Sequence, residues 1–167
     1  MGGLILVKDF MTTEVISVKA ETPVSEVVKI LFEHGFNGVP VVNDTNDLVG
    51  LITEYDFIAG GSPVYFSPIG RILKELEKVK KDESKVKEAM RQMLSAPVKD
   101  FMNADPVTLF ETNTLMEAAR LFMLHHRINP IPIINEYGKL TGIISRHDLV
   151  KLHTDPAFWQ NFLKKSE

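Results

Sequence analysis

The pentapeptide VKDFM occurs twice, as Val7-Lys8-Asp9-Phe10-Met11 and as Val98-Lys99-Asp100-Phe101-Met102, at an offset of 91. The same offset relates Glu26 to Glu117 and His34 to His125. One residue is then inserted. At an offset of 92, Asn37 meets Asn129, Pro40 meets Pro132, Asn43 meets Asn135, Gly50 meets Gly142 and Asp56 meets Asp148. Self-similarity sustained over this length marks a duplicated structural unit. It assigns residues 7–58 to a first copy and 98–150 to a second. Residues 59–97 are a loop plus amphipathic helical connector, and 151–167 a C-terminal helical tail.

Each copy reads as strand, helix, strand, strand, helix. Val15–Val18 and Val107–Leu109 are short β-branched runs. Thr22-Pro23 places a capping residue before a proline at the first helical position. Val24, Val27, Val28, Leu31 and Phe32 follow at helical spacing, as do Leu115, Ala118, Ala119, Phe122 and Met123. Gly35 and Asn37 suit the end of the first helix. VPVVN and IPIIN are continuous apolar runs of the kind buried on both faces of a sheet. Asn43-Asp44-Thr45-Asn46 and Asn135-Glu136-Tyr137-Gly138 read as hairpin turns. Leu48–Ile52 and Leu140–Ile144 return as strands. A unit this small buries little alone, so two copies are expected to pack sheet to sheet about a pseudo-twofold axis.

Within the connector, AGGSPVYFSP is a loop by its Gly and Pro content. Ile69, Ile72, Leu73, Leu76, Val79, Val86, Met90, Met93 and Leu94 then form an apolar stripe, continuous or broken near Lys81-Asp82-Glu83. It is read as a helix lying on the module, with a dimer contact or ligand-sensitive lever as the other reading. In the tail, Asp155-Pro156 starts a helix. Phe158, Trp159 and Phe162 are expected to cover an apolar edge of the module or of a partner subunit, a ligand-stacking Trp159 being the alternative.

Composition narrows the function. The 167 residues are 44% hydrophobic and 25% charged, as in a soluble globular protein. A net charge of −3 offers a polyanion no basic face, so nucleic acid is not an expected partner. There are no cysteines, which excludes disulfides and thiolate metal sites and fits a reducing cytoplasm. No signal peptide is read in MGGLILVKDFM, and Leu6 makes the Met-Gly start a poor myristoylation signal. The longest uncharged stretch, Phe57–Gly70, is broken by three glycines and two prolines and cannot span a membrane as a helix. His125 and His126 are adjacent and point about 100° apart on a helix, so no metal site is expected. No base–nucleophile pair has a motif context, so neither catalytic residues nor enzymatic activity are expected.

The order of elements, the apolar-Pro-apolar strand and the turns GLITEYDFI (Gly50–Ile58) and GIISRHDLV (Gly142–Val150) resemble a CBS domain, the motif named after cystathionine β-synthase. The resemblance spans both copies in register, about two thirds of the chain. It implies an α/β fold of two β-α-β-β-α CBS repeats, and a stand-alone CBS-domain pair.

Thr53-Glu54-Tyr55-Asp56 and Ser145-Arg146-His147-Asp148 can be read as helix caps that need no ligand. They can also be read as a grip. Free amides at a helix start suit a phosphate. Gly50 and Gly142 would let another group approach the backbone. An Asp carboxylate fits the paired hydroxyls of a ribose. Asp to ribose, and hydroxyl plus helix amides to phosphate, is the division this implies. The resemblance adds an adenosine-type ligand (AMP, ADP, ATP or S-adenosylmethionine), bound in the cleft between repeats with its base between the first strand and the apolar-Pro strand. That maps one site onto Val15, Ile16, Val39, Pro40, Thr53, Tyr55 and Asp56. It maps the other onto Pro106, Val107, Arg127, Ile131, Pro132, Ser145, Arg146 and Asp148.

Glu54 beside the first motif would repel a phosphate, and Arg146 and Arg127 beside the second would attract one. The Ser145/Asp148 site is therefore expected to take the anionic ligand. The resulting expectation is a regulatory nucleotide sensor with no required cofactor, acting as a homodimer on an unknown regulated protein. A scaffold module that binds no ligand, and a small enzyme with the connector as lid, are the alternatives.

Overall fold

The computed structural model describes residues 4–58 and 83–154. They form α1 (Val24–His34), β1 (Gly38–Val42), β2 (Leu48–Thr53), α2 (Glu54–Ile58), α3 (Glu83–Ser95), β3 (Leu109–Phe110), α4 (Leu115–Leu124), β4 (Ile131–Ile134), β5 (Leu140–Ile144) and α5 (Arg146–Thr154). Single 3-10 turns cover Val7–Asp9 and Val98–Asp100, the two VKDFM segments. The connector positions from Ile69 to Val79 and the tail aromatics Phe158, Trp159 and Phe162 lie outside the described residues.

The chain divides into two compact units, Ile16–Asp105 and Met1–Val15 with Pro106–Glu167. The compact unit and the sequence copy are thus different sets of residues. Each unit takes its VKDFM turn from the other copy.

In the unit Ile16–Asp105, β1 and β2 pair antiparallel, with Gly38 opposite Thr53 and Pro40 opposite Leu51. All five residues of β1 are buried. Val98 seals this core beside Val18, Val27, Leu31, Val39, Val41 and Ile52. Its segment is held by backbone bonds from Val98 N to Thr22 O (2.8 Å), Lys99 N to Ala20 O (3.0 Å) and a two-way pair between Leu51 and Asn103 (2.9 Å each). Helix α3 packs along α1 with Met93 and Leu94 half-buried.

The other unit repeats the design. β4 pairs antiparallel with β5 and parallel with β3. Val7 enters the core of Leu109, Ala118, Phe122, Ile131, Ile133 and Ile144. Val7 N donates to Asn113 O (2.7 Å), Lys8 N to Glu111 O (3.2 Å), and Thr12 and Ile143 exchange bonds of 3.0 and 2.9 Å.

Three local readings are corrected. The strand read over Val15–Val18 is a single parallel bridge, Val18 to Val41, and the one read over Val107–Leu109 lies at Leu109–Phe110. Proline explains both. Val18 N donates to Pro40 O (3.0 Å) and Val42 N to Val18 O (2.9 Å). The preceding rung of a parallel ladder would need Pro40 to donate to Ile16 O, and proline has no N–H. Pro132 ends the ladder before Val107 in the same way. The third correction is at α1. Its N-cap is Pro23, and Val24 N donates to Ala96 O (2.9 Å), while the Thr22 hydroxyl accepts from Lys19 N (3.1 Å). The side-chain cap appears only in the second copy, where Thr114 and Glu117 form a reciprocal capping box.

Candidate functional site

The two Gly-h-h-Thr/Ser-x-x-Asp motifs have matching geometry. Thr53 N and Thr53 Oγ1 both donate to Asp56 Oδ2 at 2.7 Å. Ser145 N and Ser145 Oγ both donate to Asp148 Oδ2, again at 2.7 Å. In the second copy Ser145 Oγ also accepts from Asp148 N at 3.4 Å. The Asp thus reaches back to the helix start in both copies, and in the second the hydroxyl also caps the Asp148 amide. The hydroxyl proton goes to the carboxylate rather than outward, so the hydroxyl as a free donor to phosphate needs amending. What remains open to a ligand is the second carboxylate oxygen. Asp148 Oδ1 pairs with Lys151 Nζ at 3.8 Å, and the Asp148 side chain stays 16% exposed. Burial raises the Asp56 carboxyl above its ordinary value, against the lowering pull of the Thr53 hydrogen bonds.

The strand residues mapped to the base divide into two kinds. Val39, Pro40, Ile131 and Pro132 are fully buried, so their side chains serve the core and only their backbone can face a ligand. Ile16 and Val107 are the opposite case: they occupy equivalent positions and expose similar fractions, 38% and 37%. Because Pro40 and Pro132 have no N–H to donate, the Ile16 and Val107 carbonyls stay outside the ladder. An exposed aliphatic beside an available carbonyl is a fitting bed for a flat heterocycle with an amino group. Val15 is assigned to the unit built mainly from the second copy, and Ile16 with the other residues mapped to that site to the other unit. Pro106 and Tyr55 are half-buried and Arg127 is exposed.

The glycines have a use that the sequence reading missed. A Cβ on Gly142 would lie 2.5 Å from Met11 Sδ and 3.0 Å from Met11 Cγ. One on Gly50 would collide with Met102 Sδ and lie 3.0 Å from Asn103 O. The group that approaches each glycine is thus the methionine of the opposite VKDFM segment.

Arg146 also departs from expectation. Its Nη2 donates to Phe122 O and His125 O, both at 3.0 Å, and its Cζ lies 5.7 Å from the centroid of the Phe122 ring. Its backbone N donates to Asn129 Oδ1 at 2.9 Å. The guanidinium is committed to the end of α4, so it is not an unencumbered phosphate cation. Glu54 is likewise engaged: its carboxylate accepts from Asn37 Nδ2 at 3.0 Å, and its N donates to Asn37 O at 2.9 Å. Sequence reasoning aligned Asn37 with Asn129 but gave neither this role. No group of three or more metal-binding side chains occurs among the described residues, nor is any described helix long and apolar enough to cross a membrane.

The fold and the paired motifs define a tandem-repeat α/β module. The CBS-domain family model matches residues 7–60 and 98–155, and the chain belongs to the CBS-domain family. CBS domain-containing protein CBSX1, chloroplastic, of Arabidopsis thaliana is 30% identical over 156 residues, covering 90% of this chain and 64% of its own length. The chain likewise spans 64% of the related Arabidopsis CBSX2. Uncharacterized protein MJ1426 of Methanocaldococcus jannaschii is 27% identical over 157 residues, covering 90% of this chain and 92% of its own length. The crystal structure of CBSX2 in complex with AMP matches with a TM-score of 0.65 at 26% identity, covering 90% of this chain and 96% of that one.

Proposed function

We propose that this protein is a non-catalytic regulatory module that binds an adenosine-type nucleotide, with the Ser145/Asp148 motif as the preferred site. The observation that carries this reading is the motif geometry, built twice with the same 2.7 Å bonds and an outward carboxylate edge. Support comes from CBSX2, a 26% identical structure crystallised with AMP. In this reading Asp148 Oδ1 accepts from the ribose hydroxyls. The base rests on Val107, Pro106 and the backbone of Ile131 and Pro132, and its amino group donates to the Val107 carbonyl. The phosphate lies at the start of α5, where the Arg146 and Asp148 amides already serve Asn129 and Ser145, and meets the His147 amide together with Arg127. AMP, ADP, ATP and S-adenosylmethionine share the adenosine part of this site. At Thr53/Asp56 the Glu54 carboxylate disfavours a phosphate, so that site is empty or takes a ligand with little negative charge. Binding regulates only to the extent that the ligand prefers one arrangement of the protein over another. A homodimer belongs to the same reading, supported by the exposed Met116, Met123 and Leu124 on α4.

Calorimetry with AMP tests the assignment. Asp148→Ala is expected to weaken AMP by about tenfold or more, the worth of a hydrogen bond to a charged group, while Asp56→Ala leaves it near wild type. The opposite pattern would move the ligand to the first motif. No heat and no thermal shift with AMP, ADP, ATP, NAD(H) or S-adenosylmethionine would favour the scaffold reading.

A further inference from the structure

The two copies differ most where the helix before the apolar-Pro strand ends. Helix α1 stops at Gly35, whose φ of 64° closes the helix in the left-handed region. Phe36 N then donates to Leu31 O at 2.9 Å. Helix α4 has no such glycine. It stops at His125, with φ −121° and ψ 84°, and the one-residue insertion falls between His125 and Asn129. The last carbonyls of a helix need donors from elsewhere when the chain does not supply a left-handed cap.

Arg146 supplies them. One guanidinium nitrogen serves Phe122 O within the last turn and His125 O at the cap. His125 O also accepts from Ile128 N at 3.1 Å, so the turn 125–128 hangs on a carbonyl that Arg146 holds. The Arg146 Nε is buried and makes no hydrogen bond among the described residues. A carboxylate cannot donate to a carbonyl, and in the first copy, where glycine closes the helix, Glu54 stands at this position. The Glu-to-Arg difference therefore follows the chemistry of the helix end rather than that of a phosphate.

We infer that Arg146 is a positioning residue: it places the turn 125–129, which carries Arg127 and Asn129, against the start of α5, and so shapes the Ser145/Asp148 site without touching its ligand. The inference rests on the proposed site only for its binding arm. Asn129 closes the link from the other side through the backbone N of Arg146. The turn and the first residue of α5 are thus tied at two points, and the guanidinium fork makes one of them.

The experiment uses the full chain with Arg146→Lys, Arg146→Gln and Arg146→Ala. Amide hydrogen exchange at Ile128 and calorimetry with AMP and with adenosine are the readouts. A lysine keeps the charge but not the planar fork. The expected result is about tenfold or greater acceleration of exchange at Ile128 in all three variants, the scale of one lost hydrogen bond to a charged donor. AMP affinity falls by more than adenosine affinity, because Arg127 rides on the displaced turn, and the lysine variant resembles the glutamine variant. If Arg146→Lys keeps wild-type AMP affinity while Arg146→Gln loses AMP but not adenosine, Arg146 touches the phosphate and the inference is overturned. Faster exchange with unchanged affinities would make Arg146 a helix cap alone and also overturn it. Unchanged exchange overturns it regardless of ligand. Wild-type protein that binds neither compound removes the proposed site, while the exchange arm still decides whether Arg146 holds the turn.

Discussion

Met11 lies against the bare backbone of Gly142, so closely that a Cβ there would sit 2.5 Å from its sulfur. The three nearest neighbours of that Cβ are all atoms of the flexible Met11 side chain. Gly142→Ala therefore pushes Met11 aside, an overpacking cost of roughly 1–3 kcal/mol. Met11→Ala in the same chain makes room, so the double variant should be more stable than the sum of the single losses predicts. Gly50→Ala meets Met102 and also the Asn103 backbone oxygen at 3.0 Å, in a segment pinned by the Leu51–Asn103 hydrogen bonds. It should cost more than Gly142→Ala, and Met102→Ala should rescue it less. Urea denaturation of the six variants checks both. Equal rescue at the two glycines would contradict the contacts.

The capping asymmetry between copies is measurable. Thr114→Ala removes a cap bonded both ways to Glu117 and should cost about 1 kcal/mol. Thr22→Ala removes only an acceptor for Lys19 N and should cost less. The backbone N–H of Thr114, helped by the Asn113 and Thr114 side chains, lowers the Glu117 carboxyl below its ordinary 4.5. A lowered carboxyl stabilises the fold above 4.5, and the contribution is lost as pH falls through the folded value. The stability gap between wild type and Glu117→Gln should shrink on acidification below about pH 4.5 in denaturation experiments. A gap independent of pH would mean the box does not form in solution.

How far the sequence alone reached depends on what each signal encodes. The duplication, the Gly35 helix end, the Asn43 and Asn135 turns and the buried strands were readable because each rests on local spacing or on a residue with one conformational use. Pairing across the chain was not. VKDFM occurs identically in both copies, so its sequence does not say which core Val7 or Val98 enters. The shortening of the first strands was readable in principle. A proline in a parallel strand removes a definite donor, and Pro40 and Pro132 each end the ladder at that rung. The bearing of Arg146 was hidden for another reason. Residue type gives a charge and a reach, not a direction, and the carbonyls that claim it lie 21 and 24 residues away.

Asp56 gives a pH prediction of opposite sign to Glu117. Burial, the leading cause, raises its carboxyl above 3.8, and the Thr53 hydrogen bonds only partly offset this. The folded state then holds a proton that the unfolded state has released. Stability from this group is fully present below 3.8 and is lost as pH rises through the folded value. Asp56→Asn cannot ionise and lacks that dependence. The unfolding free energy of wild type minus that of Asp56→Asn should fall as pH is raised from about 3 to about 7. Groups elsewhere cancel in the difference, because distant sites contribute additively. A difference that rises over this range would mean the Thr53 bonds outweigh the burial.

The assignment of each VKDFM turn to the unit of the other copy predicts where damage appears. Val7 is fully buried beside Ile131, Ile133 and Ile144, and Val98 beside Val39, Val41 and Ile52. Either Val→Ala change leaves a small cavity and should cost roughly 1–3 kcal/mol. Opening of a protein is regional, so hydrogen exchange can locate the loss. Val7→Ala should speed exchange at Ile133 and Ile144 more than at Val41 and Ile52, although Val7 belongs to the first copy in sequence. Val98→Ala should do the reverse. Were Val7→Ala to loosen β1 and β2 instead, each turn would belong with its own copy, and the glycine–methionine contacts would fall with the assignment.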